Sequence, residues 1–221
     1  MKVGIPTYSH EIFDLPPERV RQLVQVAARH DLTILADDIY DMFLYDGAKH
    51  LTPAAVAEGR NRTLTLNALS KAYSMTGWRV GWVAGPAHLM AKVRRLKAIS
   101  SGGTSIISQH AGLAALTGPQ DCIQQFLAEY TERRRYVLNT VNQLGWPVGR
   151  PTGGQFVFAD ITGTGKDSLE LAEEVLEKEH VLVYPGAAFA AGCEYFVRIT
   201  FLQPMPILKE GLDRILRALG T

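Results

Sequence analysis

Val20, Leu23, Val24, Ala27 and Ala28 recur at the i, i+3, i+4, i+7, i+8 spacing, which predicts an amphipathic helix opened by the prolines of "DLPPE". The tract "LTILAD" follows as a short apolar run ending on an acidic pair, the pattern of a buried strand. "TLTLNAL" and "WRVGWVAG" read as further strands, and "HLMAKVRRLKAI" as the next helix. Helix and strand in alternation predict an α/β layer built on a mainly parallel sheet. Three strands make a small sheet of this kind, with edges and faces that something must cover.

From Cys122 the pattern changes. Ile123, Phe126, Leu127, Tyr130, Val137, Leu138 and Val141 mark one long helix with an apolar seam, expected to connect two bodies. "LGWPVGRPTGG" breaks it with glycines and two prolines. Beyond this boundary come a strand "QFVFAD", a helix near "SLELAEEVLEK", short strands "VLVYP" and "YFVRITF", and a closing helix from about Pro206. The expected organisation is a partial large domain over 1–118, a connecting helix over 119–145, and a small α+β domain over 146–221.

Composition narrows the classes. With 23 basic against 22 acidic residues, the 221-residue chain has no net field to draw it to nucleic acid or an anionic membrane, and its 47% hydrophobic content suits a sizeable core. Cys122 and Cys193 stand far apart without a CxxC spacing, and the six histidines repeat no metal-ligand interval. No apolar run reaches the roughly 18 residues of a membrane span. These features predict a cytoplasmic protein without structural zinc, in which the Asn61 sequon is inert. "TGTGKDS" fails as a phosphate loop, because the frame requires glycine where Asp160 stands and Ser or Thr where Asp167 stands.

Candidate chemistry centres on "ADDIYD" and "NALSKAYSMTGWRVGW". Adjacent strand residues point to opposite faces, so at most one of Asp37 and Asp38 looks into a given cleft; alternatively one caps a turn and the other is solvated. Lys71 and Arg79 lie eight positions apart among small residues and tryptophans, and a cation in such company calls for a partner or a task. A lysine there either snorkels to the surface or acts as a nucleophile able to form a Schiff base with an aldehyde. Ser70 adds a hydroxyl and Arg79 a fork suited to phosphate, while Asp37 suits a protonated ring nitrogen. An aldehyde, a phosphate and a basic ring are the groups of pyridoxal 5'-phosphate. Trp78 and Trp82 read as packing, and Gly153 and Gly154 as a loop or a place of close backbone approach.

The ordered set "DDIY", "SKAYSMTGWRVGW", "PTGGQFVF", "VYPGAAF" and "YFVRITF" resembles the fold-type I pyridoxal-phosphate aminotransferases of class I and II, over roughly residues 16 to 221. The resemblance implies that Lys71 carries the cofactor Schiff base and acts as the proton-transferring base. It also implies that Asp37 pairs with the pyridinium nitrogen, that Tyr40 bonds the phenolic oxygen, and that Ser70 and Arg79 bind the phosphate. Arg198 in "FVRITF" matches the family's arginine for the substrate α-carboxylate; taken alone, it could equally make a surface ion pair near Glu194. The implied reaction moves an amino group between an amino acid and a 2-oxo acid.

Two departures accompany the resemblance. Family members have a longer stretch ahead of the "DDIY" strand, which holds the phosphate cradle and the ring stacked on the cofactor. They also have Asn-Pro-Thr-Gly where Ser9, His10, Glu11 and Ile12 stand here. The expected partner is therefore a second copy, as in a homo-oligomer such as a dimer, or another chain that supplies the N-terminal portion. The alternatives are a lyase or decarboxylase using the same lysine and aspartate, or a non-catalytic assembly subunit.

Overall fold

A computed structural model describes residues 16–149 and 151–220, so the "SHEI" tract at 9–12 lies outside the described residues. The chain divides into two compact units between Gln125 and Phe126.

The first unit opens with helix α1, Pro17–Arg29, whose first turn tolerates proline because the missing N–H has no helical partner there. Of its apolar stripe, Val20, Val24 and Ala27 are buried while Leu23 stays 54% exposed. Strand β1, Ile34–Asp37, pairs in parallel with β2, Thr63–Ala68, in the register Asp37 to Leu66. Strand β3, Gly81–Ala84, runs antiparallel to β2, with Gly81 opposite Ala68. The sheet order is β1-β2-β3, so one pairing is parallel and the other antiparallel. Twelve residues separate β2 from β3, and they form turns and a short 3-10 stretch at Thr76–Trp78 with no crossover helix to return the chain for a parallel pairing.

Helices α2, Ala87–Ser100, and α3, Ile106–Thr117, follow. Helix α3 is absent from the sequence reading because its apolar residues run around the helix and form no single stripe. Its buried Gly112 lies against Leu69 and Val80, where an added Cβ would come within 3.0 Å of the Leu69 Cδ1 and 3.3 Å of the Val80 Cγ1. Phe43, Tyr45 and Leu69 form the most buried part of this unit. Trp78 and Trp82, expected as packing, are instead 45% and 43% exposed. Described residues cover each of them only in part, and Leu35, Ile99 and Ile107 are exposed as well.

Helix α4, Asp121–Gln143, contains the division between the units. In the second unit β4, Phe156–Asp160, β6, Phe196–Thr200, and the two-residue β5, Tyr184–Pro185, form an antiparallel sheet of order β4-β6-β5. Alternate residues Val157, Ala159, Val197 and Ile199 turn inward. They join Val137 and Val141 of α4, Leu171 and Val175 of α5, Ser168–Glu179, and Leu212 and Ile215 of α6, Met205–Ala218, in one buried core. The rejected phosphate-loop tract proves to be a helix start. Asp167 accepts from the amides of Leu169 and Glu170, and Glu170 reaches back to the Asp167 amide, a complete capping box. Among the described residues no helix is long and apolar enough to cross a membrane.

Candidate active site

Strand direction gathers the predicted residues of the first unit at one end of its sheet. Asp37 is the last residue of β1, and Lys71 lies just past the end of β2, which runs the same way. Because β3 runs oppositely, the residues that precede it sit at that same end. The Leu69 amide donates to the Val80 carbonyl at 3.2 Å, so Ser70, after Leu69, and Arg79, before Val80, flank one paired position. Residues that are eight or more apart in sequence thus share the carboxyl end of a parallel pair, where open α/β sheets bind ligands.

The Lys71 turn is tight. The Tyr73 amide donates to the Leu69 carbonyl, the Ser74 amide to the Lys71 carbonyl, and Ser74 and Arg79 both adopt left-handed backbone at φ 54° and 55°. Such φ values are uncommon for residues other than glycine and mark a locally imposed conformation. Arg79 is exposed and its Nη1 donates to the Thr76 carbonyl at 2.7 Å. The half-buried Lys71 holds its ammonium 5.7 Å from the centroid of the Tyr40 ring. The carboxylate of Asp37 and the hydroxyl of Ser70 make no hydrogen bond or ion pair with any described residue.

The two aspartates of "ADDIYD" diverge as alternation requires. Asp37 is exposed at the sheet end, whereas Asp38 is 8% exposed and lies 3.3 Å from the Nε2 of His50. The Asp38 carboxylate raises the His50 imidazole above its ordinary range, against the opposing effect of burial. Asp41 accepts from the Asn67 side-chain amide at 2.9 Å, and burial raises the Asp41 carboxyl despite that bond. Sequence reasoning overlooked Asp41, His50 and Asn67. A signal existed for Asn67, the one amide within the otherwise apolar end of "TLTLNAL". A cavity of about 490 Å³ opens beside the site, lined by Asp37, Asn67, Trp82, Val93, Arg94 and Lys97 among others.

In the second unit Arg198 occupies the middle strand of its sheet, opposite Phe158 on one side and Tyr184 on the other. Its guanidinium lies 4.5 Å from the Tyr184 ring centroid, 4.6 Å from Phe189 and 5.0 Å from Phe156. The buried Nε has no hydrogen-bond partner. No ion pair with Glu194 forms: the Arg198 guanidinium lies among the three rings, and the Glu194 carboxylate accepts from the Gly192 amide. A guanidinium held by three rings, with no acceptor for its donors among the described residues, suits an incoming carboxylate.

An amine beside a phenol, a free carboxylate, a free hydroxyl and a guanidinium at one sheet end fit the aldehyde, ring nitrogen and phosphate of pyridoxal phosphate. Comparison with known proteins points the same way. Residues 13–215 match the family described as aminotransferase class I and II. The chain is 32% identical to an aromatic-amino-acid aminotransferase of Thermococcus litoralis, over 93% of this chain and 53% of that protein. It is 37% identical to an aspartate aminotransferase of Rhizobium meliloti, over 90% of this chain and 51% of the relative. Its fold superposes on the crystal structure of an aromatic aminotransferase from Pyrococcus horikoshii with a TM-score of 0.90 at 30% identity, covering 93% of this chain and 56% of the other. The chain therefore spans about half the length of the relatives it matches. The family match over nearly the whole length and the structural likeness place the chain among the class I and II aminotransferases, whose cofactor is pyridoxal 5'-phosphate.

Proposed function

We propose that this chain forms the lysine-bearing portion of a cytoplasmic aminotransferase that moves an amino group between an amino acid and a 2-oxo acid. The observation that carries the reading is the convergence of Asp37, Tyr40, Ser70, Lys71 and Arg79 at one sheet end, with the Asp37 and Ser70 side chains left without partners among the described residues. Pyridoxal phosphate, when bound, supplies a reactive aldehyde and an electron-withdrawing ring. Lys71 would be the residue that holds the group through its amine, and would serve as the base that takes and returns a proton at the substrate Cα. Asp37 keeps a proton on the ring nitrogen by its negative charge. The Tyr40 hydroxyl would hold the cofactor's phenolic oxygen, and Ser70 with Arg79 would hold its phosphate. Arg198 grips the substrate α-carboxylate, its plane fixed by Tyr184 and Phe189.

The site needs further polypeptide. Both outer strands of the first sheet and the face bearing Trp82 lack cover among the described residues, and unpaired edges are a liability in water. A second copy, or a chain that supplies the N-terminal portion of the family fold, provides that cover in this proposal. Cys122 and Cys193 are not joined in a disulfide, which suits a reducing compartment.

The test offers the purified chain, with whatever co-purifies, pyridoxal phosphate, an amino acid and a 2-oxo acid. Expected are a new amino acid and a new 2-oxo acid in equal amounts, together with a borohydride-stable adduct mapping to Lys71. Amine or ammonia released without a new amino acid would mark a decarboxylase or lyase, and the absence of both adduct and turnover would mark a non-catalytic subunit.

A further inference from the structure

The segment from Asp37 to Asp41 carries two proposed cofactor contacts on a turn only five residues long. Its backbone is tied at the start by the Asp38 amide donating to the Leu66 carbonyl at 2.9 Å. It is closed by the Asp41 amide donating to the Asp38 carbonyl at 3.1 Å and the Phe43 amide to the Tyr40 carbonyl at 2.9 Å. Two side-chain ties flank it. Asp38 is enclosed and meets His50, which brings the far end of the following loop back to the turn. Asp41 meets Asn67, whose own Oδ1 accepts from the Ala68 amide at 2.7 Å, three residues before Lys71.

Asp38 is buried and Asp41 half-buried, and a carboxylate withdrawn from water is retained at a cost unless it is paired, so the two on one short turn call for a reason beyond solubility. We infer that Asp38–His50 and Asp41–Asn67 form a two-point brace that positions Asp37 and Tyr40 against the Lys71 turn, making all four of these residues positioning residues. The inference rests on the cofactor reading above. It goes further by assigning work to residues that touch neither cofactor nor substrate. One tie fixes the turn to its own loop and the other fixes it to β2, so a shift of Asp41 is transmitted through Asn67 to the strand leading into Lys71. The titratable groups facing His50 are Asp38 and Asp41, both acidic. The brace is therefore firmest while His50 carries its proton.

The test compares the full chain with Asp41→Ala and His50→Ala, and with the conservative Asp41→Asn and His50→Gln, which keep an acceptor for Asn67 and a donor for Asp38. Two quantities are read: amide hydrogen exchange at Asp41 and Phe43, without cofactor, and the rate at which pyridoxal phosphate with borohydride labels Lys71, by peptide mass. The alanine variants are expected to exchange about tenfold faster at those amides and to label about tenfold more slowly, the worth of one such hydrogen bond. The conservative variants should recover most of both, and the Val24 amide in α1 serves as the folding control. Exchange identical to the unmodified chain overturns the brace, and faster exchange with unaltered labelling overturns the positioning role. If the unmodified chain itself is never labelled at Lys71, the cofactor reading fails, and the exchange data alone then decide whether the brace exists.

Discussion

Lys71 and Tyr40 meet with the ammonium 5.7 Å from the ring centroid, although thirty-one positions separate them in sequence. The contact joins the loop after β1 to the turn after β2, and so links the proposed nucleophile to a proposed cofactor contact from a distant segment. Replacing Lys71 by alanine is expected to abolish the borohydride-stable adduct and to lower turnover by roughly 10²- to 10⁴-fold, the range of a lost general base. Non-covalent cofactor binding should persist, which equilibrium dialysis would read. A variant that still turns over at the native rate excludes Lys71 from proton transfer.

The two arginines serve different ligands in this reading and should separate kinetically. Arg79→Ala is expected to weaken cofactor retention by about 2 kcal/mol, roughly thirtyfold, as for a lost charge-assisted hydrogen bond. Arg198→Ala should chiefly raise KM for the amino acid and leave cofactor retention unaltered. Cofactor titration and steady-state kinetics on both variants check the division, and equal effects on both quantities contradict it.

The His50 imidazole binds its proton more tightly in the folded chain because Asp38 stands beside it. A proton held more tightly by the fold stabilises it fully below the unfolded imidazole value of about 6.5, and that stabilisation is lost as pH rises through the raised folded value. Urea midpoints measured from about pH 6 to pH 9 should therefore fall with rising pH, and Asp38→Asn should flatten the decline.

Phe201 is fully buried in the second unit, with the Tyr130 ring edge-on at 6.4 Å between centroids. Phe201→Ala removes a large core side chain and should cost about 3 to 5 kcal/mol of stability. Denaturant unfolding followed by tryptophan fluorescence would report it through Trp146, which is buried in the same unit.

Gly186 in "VYPGAAF" permits a close backbone approach. A Cβ there would lie 2.2 Å from the Cys193 carbonyl oxygen and 2.6 Å from that of Phe196. Both obstacles are main chain, so Gly186→Ala should destabilise the unit by about 1 to 3 kcal/mol. Gly163, with nothing within 4 Å of its Cβ position, is the control whose alanine variant should unfold near the native midpoint.

Much of the fold was legible in periodicity. The stripe of Val20, Val24 and Ala27 and the alternation of Val157 with Ala159 follow from local geometry, in which a helix or strand exposes one face at a fixed repeat. The site residues Asp37, Tyr40, Ser70, Lys71, Arg79 and Arg198 were nameable because their spacing within short motifs resembles a known family. What the chain alone could not disclose depends on which strands become neighbours. The reversal of β3 brings Arg79 alongside Ser70, and the fold-back of the loop pairs Asp38 with His50 across twelve positions. The pairing of β4 and β5 with β6 surrounds Arg198 with the rings of Phe156, Tyr184 and Phe189 from three separate segments. Local sequence fixes which face an element buries, but contacts between distant segments form only when chain entropy is overcome by packing summed over the whole unit.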